Sequence, residues 1–207
     1  MVTTAGRRKR SVYTSVLLVL VIGLAAPAYA GTIRYDFDRL SPWRTLRDCG
    51  GISTPGPSSV NVDDGYVKVM DGGCGMGSRT GIHHLSEWAD YEVKMRIKVV
   101  SLGNGVNLVI RATPEKGFGF RGNSYRIWRD SPVEIGKWHD VRIEAEGNKA
   151  RFFIDGKKVS GFTSGIMFGG VALMIEMGEF WLDYVEIILP VQPQGRLITC
   201  WAKLKQS

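Results

Sequence analysis

From Ile33 onward apolar and polar residues alternate with a period of two, and little before the C-terminal tail repeats at helical spacing. The clearest stretch places Tyr91, Val93, Met95, Ile97 and Val99 on one side of an extended strand and Glu92, Lys94, Arg96 and Lys98 on the other. Such a strand has one buried and one wet face. The same alternation sets Val106, Leu108 and Ile110 against Asn107, Val109 and Arg111, Tyr125 and Ile127 against Arg126 and Trp128, and Val141, Ile143 and Ala145 against Arg142 and Glu144. Two turn signals, Glu146-Gly147-Asn148 and Asp155-Gly156, supply the positive-φ positions of tight hairpins. They predict a meander of Trp138–Glu146, Ala150–Asp155 and Lys157–Val159. Val171–Met177 and Phe180–Leu189 follow through Gly178, and Ile33–Asp38 and Tyr66–Met70 add strands at the front. The Gly-, Ser- and Pro-rich stretch Leu46–Val60 is predicted to be a long loop, and Phe118, Phe120, Arg121 and Asn123 to lie in a loop between strands. Roughly ten short strands with turns at this spacing describe an all-β sandwich.

The ends of the chain carry different patterns. Arg7, Arg8, Lys9 and Arg10 precede an uncharged run that closes on Ala28-Tyr29-Ala30, a small-x-small site, so residues 1–30 read as a cleaved export signal. An uncleaved anchor is the alternative, and no Cys follows the cleavage point to suggest a lipoprotein. The expected location is therefore secreted, periplasmic or extracellular, with no stable membrane insertion after cleavage. Residues 31–190 suit one domain large enough to bury a two-layer core. In the tail, 191–207, Leu197, Ile198, Trp201 and Leu204 share a helical face with Lys203 and Lys205 off it, as in a short helix that caps the sandwich or docks on a membrane or partner.

The net charge of +7 changes meaning once that signal is set apart, because it holds four of the 27 basic residues and none of the 20 acidic ones. What remains is only weakly basic, with both signs interleaved, and no concentrated stripe invites nucleic acid. Three cysteines in an exported chain favour pairing. Cys49 and Cys74 both sit in Gly-rich, loop-like surroundings and are the preferred disulfide, which would contribute about 3 kcal/mol by loop closure and leave Cys200 free.

The segments Trp88-Ala89-Asp90-Tyr91-Glu92-Val93, Val109-Ile110-Arg111, Tyr125-Arg126-Ile127, Gly136-Lys137-Trp138-His139-Asp140-Val141-Arg142-Ile143 and Phe153-Ile154-Asp155-Gly156-Lys157-Lys158-Val159 resemble the concanavalin A-like lectin/glucanase superfamily. Within it, the chain is most similar to laminin G-like modules and to the bacterial family named for 3-keto-disaccharide hydrolases. The resemblance covers about Asp36 to Ile188 and implies a jelly-roll sandwich of two antiparallel sheets. It also implies that the terminal strands, Ile33–Asp38 and Phe180–Leu189, pair. Trp88 and Trp138, each opening a strand, are expected to close one end of the core. Fold alone does not choose among enzymes, lectins and adhesion modules.

Glucanases of this superfamily place a nucleophile and an acid/base on one strand face as Glu-x-Asp-x-Glu or Glu-x-Asp-x-x-Glu. No Glu in this chain has an Asp two residues after it. No G-x-S-x-G occurs, and adjacent His83 and His84 would point to opposite faces, which defeats a simple zinc chelate. Gly72-Gly73-Cys74-Gly75-Met76-Gly77 lacks the Lys of a phosphate loop. Sugar recognition instead asks for an aromatic plate edged by planar hydrogen-bonding groups. The wet strand faces offer Asn107 and Arg111, Arg126 and Trp128, and Glu176, with Trp128 contacting either a ligand or the Phe118–Gly122 loop. The superfamily further implies a structural calcium where the termini meet, with Asp36, Asp38 and Asp183 as ligands, against the alternative that Arg34 and Arg39 neutralise them. The expected function is a secreted carbohydrate-binding or adhesion-type module with a glycan ligand. A glycoside hydrolase acting on 3-keto-disaccharides or related sugars, and a structural envelope protein, are the alternatives.

Overall fold

A computed structural model describes residues 31–48, 58–73, 79–115 and 119–190. Residues 1–30, expected to form an export signal, the tail from 191, Cys49, Cys74, Cys200 and Phe118 lie outside the described residues. The described residues form thirteen strands and no helix, arranged as two antiparallel sheets. The larger sheet holds β1 (Gly31–Asp36), β3 (Ser59–Asp63), β4 (Tyr66–Met70), β6 (Tyr91–Ser101), β9 (Trp138–Glu146), β10 (Lys149–Ile154), β11 (Lys157–Thr163) and β13 (Glu179–Leu189). The smaller holds β2 (Arg44–Asp48), β5 (Arg79–His84), β7 (Gly105–Glu115), β8 (Gly119–Ile127) and β12 (Gly170–Glu176), in the order β2-β5-β12-β7-β8. This is the all-β sandwich that the alternating pattern predicts, with the jelly-roll arrangement of two antiparallel sheets that the resemblance implies.

The core lies between the sheets and follows the predicted parity. Tyr91, Val93, Met95, Ile97 and Val99 of β6 are each at most 3% exposed and face Val106, Leu108 and Ile110 of β7 and Val171, Leu173 and Ile175 of β12 within one cluster. β1 pairs with β13, Ile33 opposite Ile187, so the two terminal strands close on one another as expected. They share that edge with β4, which takes Glu179 to Leu182 of β13 before β1 takes Tyr184 to Leu189. Where the partner changes, β13 slips register against β6 between Leu182 and Val185. The extra residue on β13 there is a bulge, which bends the strand locally.

Three expectations need correction. The stretch Leu46–Val60 contributes residues to β2 and β3, which pair with β5 and β4, rather than forming loop throughout. Phe120, Arg121 and Asn123 stand in β8, paired to β7, not in a loop. Trp138 does not close the core: it pairs opposite Lys98, whose neighbours Ile97 and Val99 are the inward residues, so its ring lies on the outer face of the larger sheet. Trp88, by contrast, packs against the core cluster.

The Trp-His-Asp and Asp-Gly segments meet in one hydrogen-bonded corner. His139 Nδ1 lies 2.7 Å from Asp155 Oδ2, and Asp155 Oδ1 accepts the Asp140 amide at 3.0 Å. Asp155 sits at φ 48° and Gly156 at 76°, the left-handed pair of a tight hairpin. Burial pushes the Asp155 pKa up, but the His139 hydrogen bond and the Asp140 amide outweigh it, and the carboxyl titrates below its ordinary 3.8. A depressed carboxylate pKa stabilises the fold above the unfolded value and loses that contribution as pH falls through the folded one. Asp155→Asn, which keeps the turn because Asn tolerates positive φ, should therefore lower stability near neutral pH by about 0.5 kcal/mol, since the carboxylate is half exposed and its interactions are screened. Urea denaturation should show that difference shrinking below about pH 4; a difference independent of pH would remove the carboxylate from the account.

Candidate functional site

Side chains of the smaller sheet that point away from the core build the candidate site. Strand pairing puts Gly81, Met174, Asn107 and Arg126 in one row, since Met174 is opposite both Gly81 and Asn107, and Asn107 is opposite Arg126. The long polar side chains of this end converge. Arg126 Nε donates to Asn107 Oδ1 at 3.0 Å, and its Nη2 donates to Glu176 Oε1 at 3.3 Å. Arg79 Nε donates to the same Glu176 oxygen at 2.9 Å. Glu176 is only 6% exposed, so two guanidiniums hold a nearly buried carboxylate in place, while the Arg126 side chain is 44% exposed.

Trp128, two residues beyond Arg126, is held by its amide on Ser131 Oγ at 2.9 Å and leaves 37% of its surface exposed. Gly105 lies between the two: a Cβ there would stand 3.0 Å from both the Arg126 stem and the Trp128 ring, so the missing side chain lets them crowd this edge. Asn107 spends its oxygen on Arg126, and its buried Nδ2 has no hydrogen-bond partner. A buried amide left so is a donor waiting for an acceptor.

Beyond this polar end the same face is apolar: Val109, Ala112, Ala172 and Met174 form a second small cluster with Leu46 and Phe120 packed on it. His83 belongs to this face, 4.8 Å ring to ring from Phe120, whereas His84 turns the other way to stack on Trp88 at 5.1 Å and to meet Tyr35 Oη at 3.2 Å. Adjacent histidines on opposite faces are what strand geometry requires. Burial pushes both imidazole pKa values down, helped at His83 by the Arg44 charge.

Of the five residues expected to line a sugar groove, the structure brings together Asn107, Arg126, Trp128 and Glu176 and sets Arg111 apart. Arg111 is 0% exposed and points into the end of the sandwich. A register shift between Ile110 and Thr113 and a φ of 52° turn it off the outer face. Its Nε donates to Ala89 O at 3.0 Å, its Nη1 to Ile166 O at 2.9 Å and its backbone amide to Tyr91 Oη at 2.6 Å. Tyr91 in turn donates to Gly170 O at 2.8 Å. Arg111 therefore ties loops to the sheet.

Arg79 is the member that strand reading missed, because β5 was not read as a strand; the alternation Arg79-x-Gly81-x-His83 is the signal that could have found it. The calcium expectation fits poorly. Arg34 binds Asp36 at 2.8 Å, Arg96 reaches Asp183 at 3.3 Å, and among the described residues no three His, Cys, Asp or Glu converge as a metal set.

No family model and no curated protein matches the sequence. Solved structures do match in fold. A Bacillus subtilis protein of unknown function with a galectin-like fold superposes with a TM-score of 0.57 at 10% identity, covering 80% of this chain and 99% of that one. The exoplasmic/lumenal domain of VIP36, in a Ca2+/Man3GlcNAc-bound form, gives 0.54 at 11% identity over 81% of this chain and 92% of its own. A structure described with endo-acting O-glycanases of the human gut microbiota gives 0.52 at 13%, over 76% and 98%. The chain thus shares the galectin-like jelly-roll fold of these structures.

Proposed function

We propose that this protein is a carbohydrate-binding module acting outside the cytoplasm, and that it holds a sugar on the outer face of the smaller sheet. The observation that carries the reading is the exposed Trp128 indole beside an Arg126 already oriented by Asn107 and Glu176. A pyranose offers an apolar C–H face, which an indole covers, and hydroxyls at its edge, which a fixed, partly exposed guanidinium can bond. Preorganisation matters because side chains already held need little further ordering when ligand arrives. The glycan-bound state of VIP36 on the same fold is compatible with this reading.

Hydrolysis finds less support on this face. Among its described side chains Glu176 is the one carboxylate, and two arginines already hold it, whereas glycoside hydrolysis calls for two carboxyl groups flanking the bond. Glycan-array screening followed by calorimetry on the best ligand tests the proposal. Trp128→Ala and Arg126→Ala should each weaken binding about tenfold or more with the fold intact. Undiminished affinity in both variants would place the sugar elsewhere, and turnover of the bound glycan would make the protein an enzyme.

A further inference from the structure

The larger sheet carries a separate feature on its outer face that the site above does not use. In one row across β4, β13, β6 and β9, Lys68 pairs opposite Trp181, Trp181 opposite Lys98, and Lys98 opposite Trp138, so cations and indoles alternate over four strands. Lys98 Nζ lies 3.6 Å from the Trp181 ring centre and 5.1 Å from that of Trp138, and Lys68 Nζ lies 4.6 Å from Trp181. Tyr66 of β4 joins them, its ring 5.2 Å from Trp138 and 6.3 Å from Trp181. The backbones of β4 and β9 are three strand spacings apart, about 14 Å. Their Tyr66 and Trp138 rings can meet only by leaning across the sheet, and together they pave it.

The charges on this pavement differ in their partners. Lys68 is bound by Asp63 at 2.5 Å and Arg96 by Asp183 at 3.3 Å. Among the described residues no carboxylate lies within ion-pair distance of Lys98; its ammonium rests on ring faces, which attract a cation but accept none of its hydrogen bonds in the way a carboxylate does. A cation held in place with N–H groups left over is suited to a carboxylate from outside. The acids around it are spaced between the cations, which disfavours a dense anionic surface but suits a ligand that brings hydroxyl donors together with sparse negative charge. Lys68 and Lys98 stand two strand spacings apart, about 9.6 Å, a separation on the scale of a disaccharide.

We infer that this face binds an acidic polysaccharide of the polyuronate class, its sugar rings lying along Trp138 and Tyr66 and one carboxylate held by Lys98, which Trp181 supports from beneath. The site sits on the opposite sheet from the proposed Trp128 site, so either stands if the other falls. The test titrates the full chain with polygalacturonate and with its fully methyl-esterified form, which keeps the rings and removes the charge. The acid form should bind, more weakly as salt rises, and the ester at least about tenfold more weakly. Lys98→Gln should lose about tenfold in affinity while Lys98→Arg retains binding. Equal affinity for acid and ester, indifference to Lys98→Gln, or binding to vesicles of anionic phospholipid in place of polygalacturonate would each overturn the inference.

Discussion

Replacing Arg111 by alanine is expected to destabilise the domain by about 4 kcal/mol, a drop in melting temperature of about 10 °C for a domain of this size. The guanidinium is fully buried and donates to Ala89 O and Ile166 O, with Asp90 Oδ1 at 3.6 Å from Nη2. Alanine would leave those carbonyls and the half-buried carboxylate without their cation, and would open a cavity where the side chain was. Burial already pulls the Arg111 pKa below its ordinary value, against the raising effects of Tyr91 and Asp90, as expected of a charge kept inside by its partners. The measurement that decides it is urea denaturation paired with glycan titration of the folded protein. A loss under about 1 kcal/mol, or a weaker glycan affinity with stability preserved, would return Arg111 to the binding face.

The second large effect is expected at Gly81, in the middle of β5. A Cβ built there would stand 2.0 Å from the Leu173 carbonyl oxygen and 2.8 Å from the Met174 Cα, both backbone atoms of the paired strand β12. No side chain can swing away to relieve that contact, so Gly81→Ala must push β5 off β12. The cost is about 3 kcal/mol, the upper part of the overpacking range. Because Arg79 lies two residues along on the same face and bonds Glu176 of β12, the shift should also weaken glycan binding. Gly165→Ala, where nothing lies within 4 Å, serves as the control and should change stability by less than about 0.5 kcal/mol. Equal behaviour of the two variants would mean that β5 and β12 are free to separate.

How much of this was legible beforehand varies along the chain. Strands with long alternation, such as β6, or with glycine-bearing turns, such as β9 to β11, could be read because burial parity and turn chemistry are local properties. β2 and β5 were not, since Arg-Thr-Leu-Arg-Asp and Arg-Thr-Gly-Ile-His-His carry few apolar residues of their own and are strands by virtue of the neighbours they pair with. Trp138 marks a different lesson. The parity of Val141, Ile143 and Ala145 already puts His139 inward and Trp138 outward, but the size of the ring suggested core.

Fold class, the core faces of the longest strands and the residue types able to meet a sugar follow from the order of residues, because a period of two assigns alternate side chains to opposite faces wherever the strand is regular. Which of those residues share a site follows only from how the strands pair. The bulge at Ile110 to Thr113 changes the phase of β7, so Arg111, outward by counting, ends inside, while pairing across β5, β12, β7 and β8 gathers Arg79, Glu176, Asn107 and Arg126 from distant parts of the chain. Register and bulges arise between strands, and no single strand's pattern contains them.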